Sequence, residues 1–228
     1  GCGATPAGEV QSFRAMIRFL KVSYRHAPGK GVEDISFTIE RGDFVLLAGP
    51  TGAGKTTILR LIYLELFPDS GQIMIEGRFL RSRSARDLAA LRRKMGIVFP
   101  ESQLLADRTI FENVALPLRI AGESRRRTHL EVSRLLFRFG LSGRGASYPS
   151  ELSSGEQKKA AIARALVVRP FILLADEPLA NIGASAGAEI IDHLAQISAE
   201  GTTILAATHQ PQAFEGIAKC MLTLRDGQ

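Results

Sequence analysis

A glycine-rich stretch at residues 49–57 has the residue types and spacing of a phosphate-binding loop. Its residues are Gly49, Pro50, Thr51, Gly52, Ala53, Gly54, Lys55, Thr56 and Thr57. They fit the pattern G-x-x-x-x-G-K-[ST] and directly follow an apolar run at residues 44–48. Glycines let backbone N–H groups turn toward phosphates, and the helix that follows presents the positive end of its dipole to them. We expect the whole loop to bind ATP, with Lys55 on the β- and γ-phosphates and Thr56 on Mg²⁺.

Two carboxylates follow a second apolar run, at residues 171–175. Asp176, at the end of this predicted strand, could reach Mg²⁺ through a water molecule. Glu177 could orient or deprotonate the attacking water, a role worth typically about 10²–10⁴-fold in rate. Two acids after a strand are more often a helix cap or a solvated turn. Together with the glycine-rich loop, however, they favour a catalytic interpretation.

Two further elements could contact phosphate. A third apolar run, at residues 203–207, leads into His209. Ligands bind at the carboxyl ends of strands in parallel sheets, so His209 could donate a hydrogen bond to the γ-phosphate. A short segment that precedes a predicted helix offers backbone amides for a second anion site. Its proposed binding residues are Ser153, Ser154, Gly155 and Glu156.

Short apolar runs and helix-period segments alternate along the chain, and these elements must position the polar residues. The apolar runs are 16–22, 35–39, 44–48, 97–99, 171–175, 203–207 and 221–224, and the helical segments include 55–63, 157–168 and 185–198. This alternation predicts an α/β domain with a mostly parallel sheet over residues 13–228. Residues 85–150 are predicted to be a helical insertion, and residues 1–12 a flexible leader.

One helix of the predicted insertion has recognisable boundaries. Thr109 is followed three residues later by Glu112, which is a capping-box pattern for a helix start. Pro117 is then expected to end or kink that helix, because proline has no N–H to donate.

The charge of this 228-residue chain is +6, and it comes from two basic segments at residues 78–94 and 119–138. Neither segment interleaves aromatic residues as a base-stacking surface would, which argues against nucleic-acid binding. Solvated helix faces are the favoured interpretation, and contact with anionic lipid is the alternative. No apolar run approaches the roughly 20 residues of a membrane span.

The order of these motifs resembles that of ABC-transporter ATP-binding subunits, over residues 16–227. The resemblance implies a P-loop NTPase core with a mostly parallel sheet, an antiparallel β subdomain and an inserted α-helical subdomain. It implies ATP and Mg²⁺ as cofactors, and a head-to-tail homodimer in which Ser153 and Gly155 of one subunit meet the ATP of the other. It also implies an integral membrane partner, which would hold the chain at the cytoplasmic face of the inner membrane.

Several stretches are similar to the FtsE group of bacterial cell-division ATPases. They are residues 16–19, 104–109, 113–118 and 173–178 and the ending at 224–227. The similarity implies that ATP-driven motion passes through an FtsX-like membrane subunit to periplasmic cell-wall hydrolases, with no transported substrate. The ATPases of lipoprotein-release and MacB-type exporters share much of this pattern and are the alternative.

The sequence departs from the family pattern at four positions. The aromatic residue that stacks on adenine is replaced by two candidates, His26 and Tyr24. The glutamine expected after residues 97–99 is Pro100, which brings no side-chain oxygen. The segment at residues 152–157 corresponds to the signature motif of the family, and Ser154 replaces the first glycine of that motif. Gly183 replaces the aspartate that is expected after residue 182.

These departures leave two classes of function open. One is a slow ATPase whose dimer closes on ATP and moves a membrane partner, and Glu177 and His209 favour it. The other is a nucleotide-gated clamp with little turnover, and Pro100 and Gly183 keep that possibility open.

Overall fold

The computed structural model describes residues 15–27, 30–79 and 84–228. The predicted leader lies outside this part of the chain, as do Arg81 and Arg83 of the first basic segment. The chain divides into two compact units. The first runs up to Arg92 and resumes over Ser198–Gln228, and the second is Arg93–Ile197.

The described residues form nine strands and six α-helices. In chain order they are β1 (Ala15–Ala27), β2 (Lys30–Glu40), β3 (Phe44–Ala48), α1 (Lys55–Ile62), β4 (Ser70–Ile75), β5 (Arg78–Phe79), α2 (Ala85–Arg92), β6 (Met95–Val98), α3 (Ile110–Ile120), α4 (Arg125–Arg138), α5 (Ser154–Leu166), β7 (Ile172–Asp176), α6 (Ala184–Ala199), β8 (Thr203–Thr208) and β9 (Cys220–Thr223).

An antiparallel sheet in the first unit has the strand order β2-β1-β4-β5. In β1, Ile17 and Phe19 are buried, and they pair on either side with residues of β2 and β4. The Phe19 ring stacks on Phe37 with centroids 4.5 Å apart. Strands β4 and β5 had no counterpart among the predicted apolar runs. The reason is that β4 is exposed over its first three residues and buried only over Ile73–Ile75.

The first unit also contains a parallel arrangement in which β3 pairs with β8 on one side and β9 on the other. All five residues of β3 and all six of β8 are buried. Strands buried on both faces have continuous apolar sequences, which is why the runs at 44–48 and 203–207 identified them. Parallel pairing places Ala48 opposite Thr208, so the segments that follow β3 and β8 leave the same edge.

In the second unit β6 pairs in parallel with β7, and α5 packs against both β6 and α3. The predicted fold class is confirmed, since the described residues combine parallel strands, an antiparallel sheet and α-helices, of which α3 and α4 follow each other directly. Two details differ from the sequence-based expectation. Helix α5 begins at Ser154, three residues before the predicted start. Of the two outcomes expected at Pro117, a helix end does not occur, because α3 continues to Ile120.

The longest helix in the described part of the chain is α6, with 16 residues. No described helix has the combination of length and hydropathy that a membrane span requires.

A buried amide holds the segment before α3 in place. Thr109 caps α3 through the predicted capping box with Glu112. One turn into the helix, Asn113 is fully buried, and its Nδ2 donates to the carbonyl oxygens of Leu105, Arg108 and Thr109 at 3.0–3.1 Å. Its Oδ1 accepts from the Leu105 backbone N–H at 2.7 Å. All polar atoms of this side chain are therefore used to fix the entry to α3.

Replacing this amide should destabilise the protein. Asn113→Ala would remove the four side-chain hydrogen bonds that hold this segment, while the backbone bonds to the Leu105 and Thr109 carbonyls remain. We expect the free energy of unfolding to fall by about 1–3 kcal/mol. Urea unfolding followed by circular dichroism measures this change. Ser133→Ala, at an exposed position of α4, is the control and should be close to neutral. Equal unfolding midpoints for the two variants would contradict the role assigned to Asn113.

Candidate nucleotide-binding site

The glycine-rich loop joins the end of β3 to the start of α1, and two of its glycines are required by close backbone approach. A Cβ atom at Gly49 would overlap the carbonyl oxygen of Leu224. Gly54 has a φ of 102°, in the left-handed region, and a Cβ there would lie 2.7 Å from Cγ1 of Val32. These positions therefore accept only glycine without rearrangement.

Lys55 is the first residue of α1 and is only 6% exposed. Its Nζ donates to the carbonyl oxygens of Gly49 at 2.7 Å and Pro50 at 3.1 Å. The ammonium group thus lies within the loop that it would serve. No acidic residue occupies the first turn of α1, and Gly54 provides no side-chain cap. The positive end of this helix dipole is therefore not offset by acids of its own first turn, as suits an anion-binding site.

The two candidates for adenine stacking contact each other, and one of them contacts α1. His26 Nε2 is 3.2 Å from Oγ1 of Thr57, in the first turn of that helix. Tyr24 contacts His26 edge to face, with ring centroids 4.7 Å apart and an interplanar angle of 81°. The first unit therefore brings His26 to the helix that begins with Lys55, with Tyr24 against its ring. Which of them stacks on adenine stays a prediction.

His209 directly follows β8 and is exposed. Because Ala48 of β3 pairs with Thr208 of β8, His209 and Gly49 are the next residues along two adjacent parallel strands. Their side-by-side position in the first unit agrees with the role predicted for His209. Its Nε2 lies 3.1 Å from the Gln210 side-chain nitrogen.

In the second unit, Asp176 is the last residue of β7 and is buried. Glu177 is partly exposed and has a φ of 47°, an uncommon value for a residue with a Cβ. Its carbonyl oxygen accepts from the N–H of Ala180, which closes a turn. Non-glycine residues in such conformations are concentrated at functional sites.

The predicted Mg²⁺ ligands, Thr56 and Asp176, supply one hydroxyl and one carboxylate. Mg²⁺ in nucleotide sites is usually bound by one or two protein oxygens, with phosphate oxygens and water completing the shell. Each of the two residues, taken by itself, therefore offers an oxygen of a kind that Mg²⁺ accepts. In the described part of the chain, no group of three or more histidine, cysteine, aspartate or glutamate side chains gathers as a metal site made of protein alone.

The segment predicted as a second anion site forms the start of α5. Ser153 is the N-cap, and its Oγ accepts from the Glu156 N–H at 3.3 Å. The Glu156 carboxylate accepts from the Ser153 N–H at 2.9 Å and from Arg144 at 3.1 Å. The Ser153 backbone N–H, the largest of these influences, holds the pKa of Glu156 below its usual value. Glu156 is therefore occupied as a cap, whereas the amides of Ser154 and Gly155 have no acceptor among the described residues.

Two glycines of the second unit differ in how tightly they are packed. A Cβ at Gly155 would lie 2.6 Å from the Cβ of Ala186 in α6. At Gly183, which replaces the expected aspartate, a Cβ would meet no atom within 4 Å. The space at Gly183 therefore admits a side chain, and that at Gly155 does not.

Sequence reasoning missed one residue of this region. Lys158 in α5 is 2% exposed, and its Nζ donates to the carbonyl oxygens of Phe99 and Pro100. Burial lowers the pKa of Lys158 to about 8, and the negative charge of Asp176 opposes that shift. A signal was present in the sequence, because Lys158 has the helical spacing of the buried residues Ile162 and Ala165.

Comparison with known proteins agrees with this arrangement. The family model described as ABC transporter matches residues 32–180. The chain belongs to this family, and it is an ABC ATPase. A solved dimeric ATP-binding cassette in a post-hydrolysis state, bound to ADP and Pi, superimposes with a TM-score of 0.84 at 28% identity, covering 93% of this chain and 95% of that one.

Within the family, the similar curated proteins are cell-division ATP-binding proteins named FtsE. That of Escherichia coli is 38% identical over 93% of this chain and 96% of its own length. That of Streptococcus pneumoniae serotype 2 is 38% identical over 85% of this chain and 84% of its own length. The similarity to the FtsE group suggested by the sequence is therefore confirmed.

The contrast between the two glycines gives a test of the signature segment. Gly155→Ala should lower the free energy of unfolding by about 1–3 kcal/mol, because a methyl group is forced against Ala186. It should also displace the start of α5 and weaken any function of its amides. Gly183→Ala is the matched control and should leave the unfolding transition close to that of the parent. Comparable thermal melting of the two variants would show that the close packing at Gly155 has no consequence.

Proposed function

We propose that this chain is the ATP-binding and ATP-hydrolysing subunit of an FtsE–FtsX-like membrane complex. In this proposal, ATP-driven dimerisation is coupled to bacterial cell division through activation of cell-wall hydrolases. The observation that carries the proposal is the loop before α1, where the ammonium of a buried Lys55 sits among carbonyl oxygens at the start of a helix with no acid in its first turn. The similarity to FtsE proteins over most of the chain supports the cell-division role.

Each predicted site residue has a chemical task in this proposal. Lys55 and the loop amides bind the phosphates, and Thr56 and Asp176 bind Mg²⁺. Glu177 orients or deprotonates the attacking water, and His209 contacts the γ-phosphate. His26 or Tyr24 stacks on the adenine ring. Mg²⁺, when bound, would neutralise charge that develops on the phosphates during transfer.

The proposed homodimer would complete each ATP site with residues of the second subunit. The amides of Ser154 and Gly155 support this idea, because they begin a helix and have no acceptor among the described residues. Ser153 and Gly155 of one subunit would then contact the ATP bound by the glycine-rich loop of the other. A similar solved cassette is dimeric with ADP and Pi bound.

The membrane partner proposed for this chain is an integral FtsX-like subunit, which would hold it at the cytoplasmic face of the inner membrane. Direct contact with anionic lipid is a second, weaker association. Its support is the outer face of α4, where Leu130 and Phe137 are 66% and 77% exposed and share that face with Arg126. Apolar and basic side chains on one helix face are typical of binding to anionic membranes.

The catalytic proposal is tested at Glu177. In membranes that contain the co-expressed partner, Glu177→Gln should lower steady-state phosphate release by about 10²–10⁴-fold, because the general base is lost. ATP binding, measured as a thermal upshift, should persist. Glu215→Gln, at an exposed position, is the control. If Glu177→Gln keeps the parent rate, the clamp with little turnover becomes the better description.

A second experiment separates protein and lipid association. Recovery of an FtsX-like four-span protein in co-purification from membranes would support the cell-division role, whereas recovery of a lipoprotein-release permease would replace it. For lipid, the isolated chain should float with phosphatidylglycerol vesicles at moderate salt, and a Leu130→Ser, Phe137→Ser double variant should float less. An absence of flotation by the parent chain would rule out the lipid contact.

A further inference from the structure

The loop after β6, residues 99–103, is held to helix α5 through its main chain. Lys158 Nζ donates to the carbonyl oxygens of Phe99, at 3.1 Å, and of Pro100. One guanidinium, that of Arg164, donates to the carbonyl oxygens of Gln103 at 2.7 Å and Ser102 at 2.9 Å. Two cationic side chains of α5 therefore bind four of the five carbonyl groups of this loop.

Of the two cationic side chains, Lys158 is the more deeply buried. It is 2% exposed, and burying an ammonium group is costly unless it is hydrogen-bonded and electrostatically compensated. The two loop carbonyls supply the hydrogen bonds, and the negative charge of the Asp176 carboxylate favours the charged form of Lys158. Loss of the ammonium group would therefore remove hydrogen bonds from the loop and a positive charge that interacts with Asp176.

The topology of the second unit explains how Lys158 can interact with both the loop at residues 99–103 and Asp176. Strands β6 and β7 are parallel, and Val98 pairs with Ala175. The loop at residues 99–103 and the carboxylate of Asp176 therefore start from neighbouring strand ends. Lys158 comes one helical turn after Ser154, so the same helix also carries the signature amides.

We propose that Lys158 is a positioning residue for ATP hydrolysis. It fixes the loop at residues 99–103 to the signature helix, and its charge weakens the attraction of Asp176 for Mg²⁺. The proposal rests on the proposed function, since it assigns a metal-binding role to Asp176. It also gives Pro100 a defined part, because a residue without a polar side chain can still offer its carbonyl oxygen to Lys158.

Two substitutions separate the hydrogen bonds from the charge. Lys158→Gln keeps side-chain N–H donors but removes the positive charge, whereas Lys158→Met removes both. The matched control is Lys159→Met, because Lys159 is the next residue of the same helix and, within the part of the chain that the structure describes, its side chain hydrogen-bonds only to Glu189, on α6. Circular dichroism and thermal melting identify the variants that fold, and Lys158→Gln serves if Lys158→Met does not.

Loop position can be read by fluorescence. The chain contains no tryptophan, so Glu101→Trp, at an exposed position of the loop, introduces a single reporter. In this background Lys158→Met should increase the nanosecond mobility of the indole in time-resolved anisotropy, and Lys159→Met should not. Equal mobility in the two variants would overturn the positioning of the loop.

Metal affinity is read independently of catalysis, by electron paramagnetic resonance titration of Mn²⁺ into the complex with a non-hydrolysable ATP analogue. Removal of one positive charge near Asp176 should tighten Mn²⁺ binding by about three- to tenfold in Lys158→Gln. Lys159→Met should bind Mn²⁺ as the parent does. Unchanged or weaker binding by Lys158→Gln would overturn the charge effect.

If the parent protein itself binds no Mn²⁺–nucleotide, the proposed function fails, and the metal part of the Lys158 proposal fails with it. The fluorescence experiment still decides whether Lys158 positions the loop.

Discussion

The burial of an ammonium group constrains one loop in each of the two units. An ammonium removed from water must be surrounded by acceptors, and in this chain the acceptors are main-chain carbonyls. Lys55 donates hydrogen bonds to the carbonyl oxygens of Gly49 and Pro50, and Lys158 donates to those of Phe99 and Pro100. Each lysine thereby determines the path of a loop at the end of a buried parallel strand.

The position of Lys55 could be predicted from the sequence, whereas that of Lys158 could not. Lys55 stands at a fixed place in a recognised pattern after a continuous apolar strand, so its position was predictable from local residues. Lys158 belongs to no such pattern, and its acceptors lie about 58 positions away in the chain. Its burial depends on α5 packing against β6, which is a tertiary contact. Glu156 differs from Lys158, because its cap on Ser153 is a contact over three residues, of the same capping-box type as that of Thr109 and Glu112.

The fold shows a similar division. Strands β3, β7 and β8 are buried along their whole length, and their sequences are correspondingly apolar. Strand β4 was missed because half of it faces solvent, and its pairing with β1 is what makes it a strand. Pro117 was expected to end or kink α3, and the helix does not end there; buried residues on both sides of it, Val114 and Leu118, keep the helix packed beyond the missing N–H.

The sequence by itself determined the class of fold, the phosphate-binding loop, the carboxylates after β7 and the resemblance to cell-division ABC ATPases. These depend on short stretches in which residue type and spacing are dictated by local geometry. Only the tertiary structure decided that Gly155 has no room for a methyl group while Gly183 has, that His26 contacts both α1 and Tyr24, and that Lys158 is buried and bonded to a loop. Such properties arise from contacts between residues distant in the chain, and no local pattern encodes those contacts.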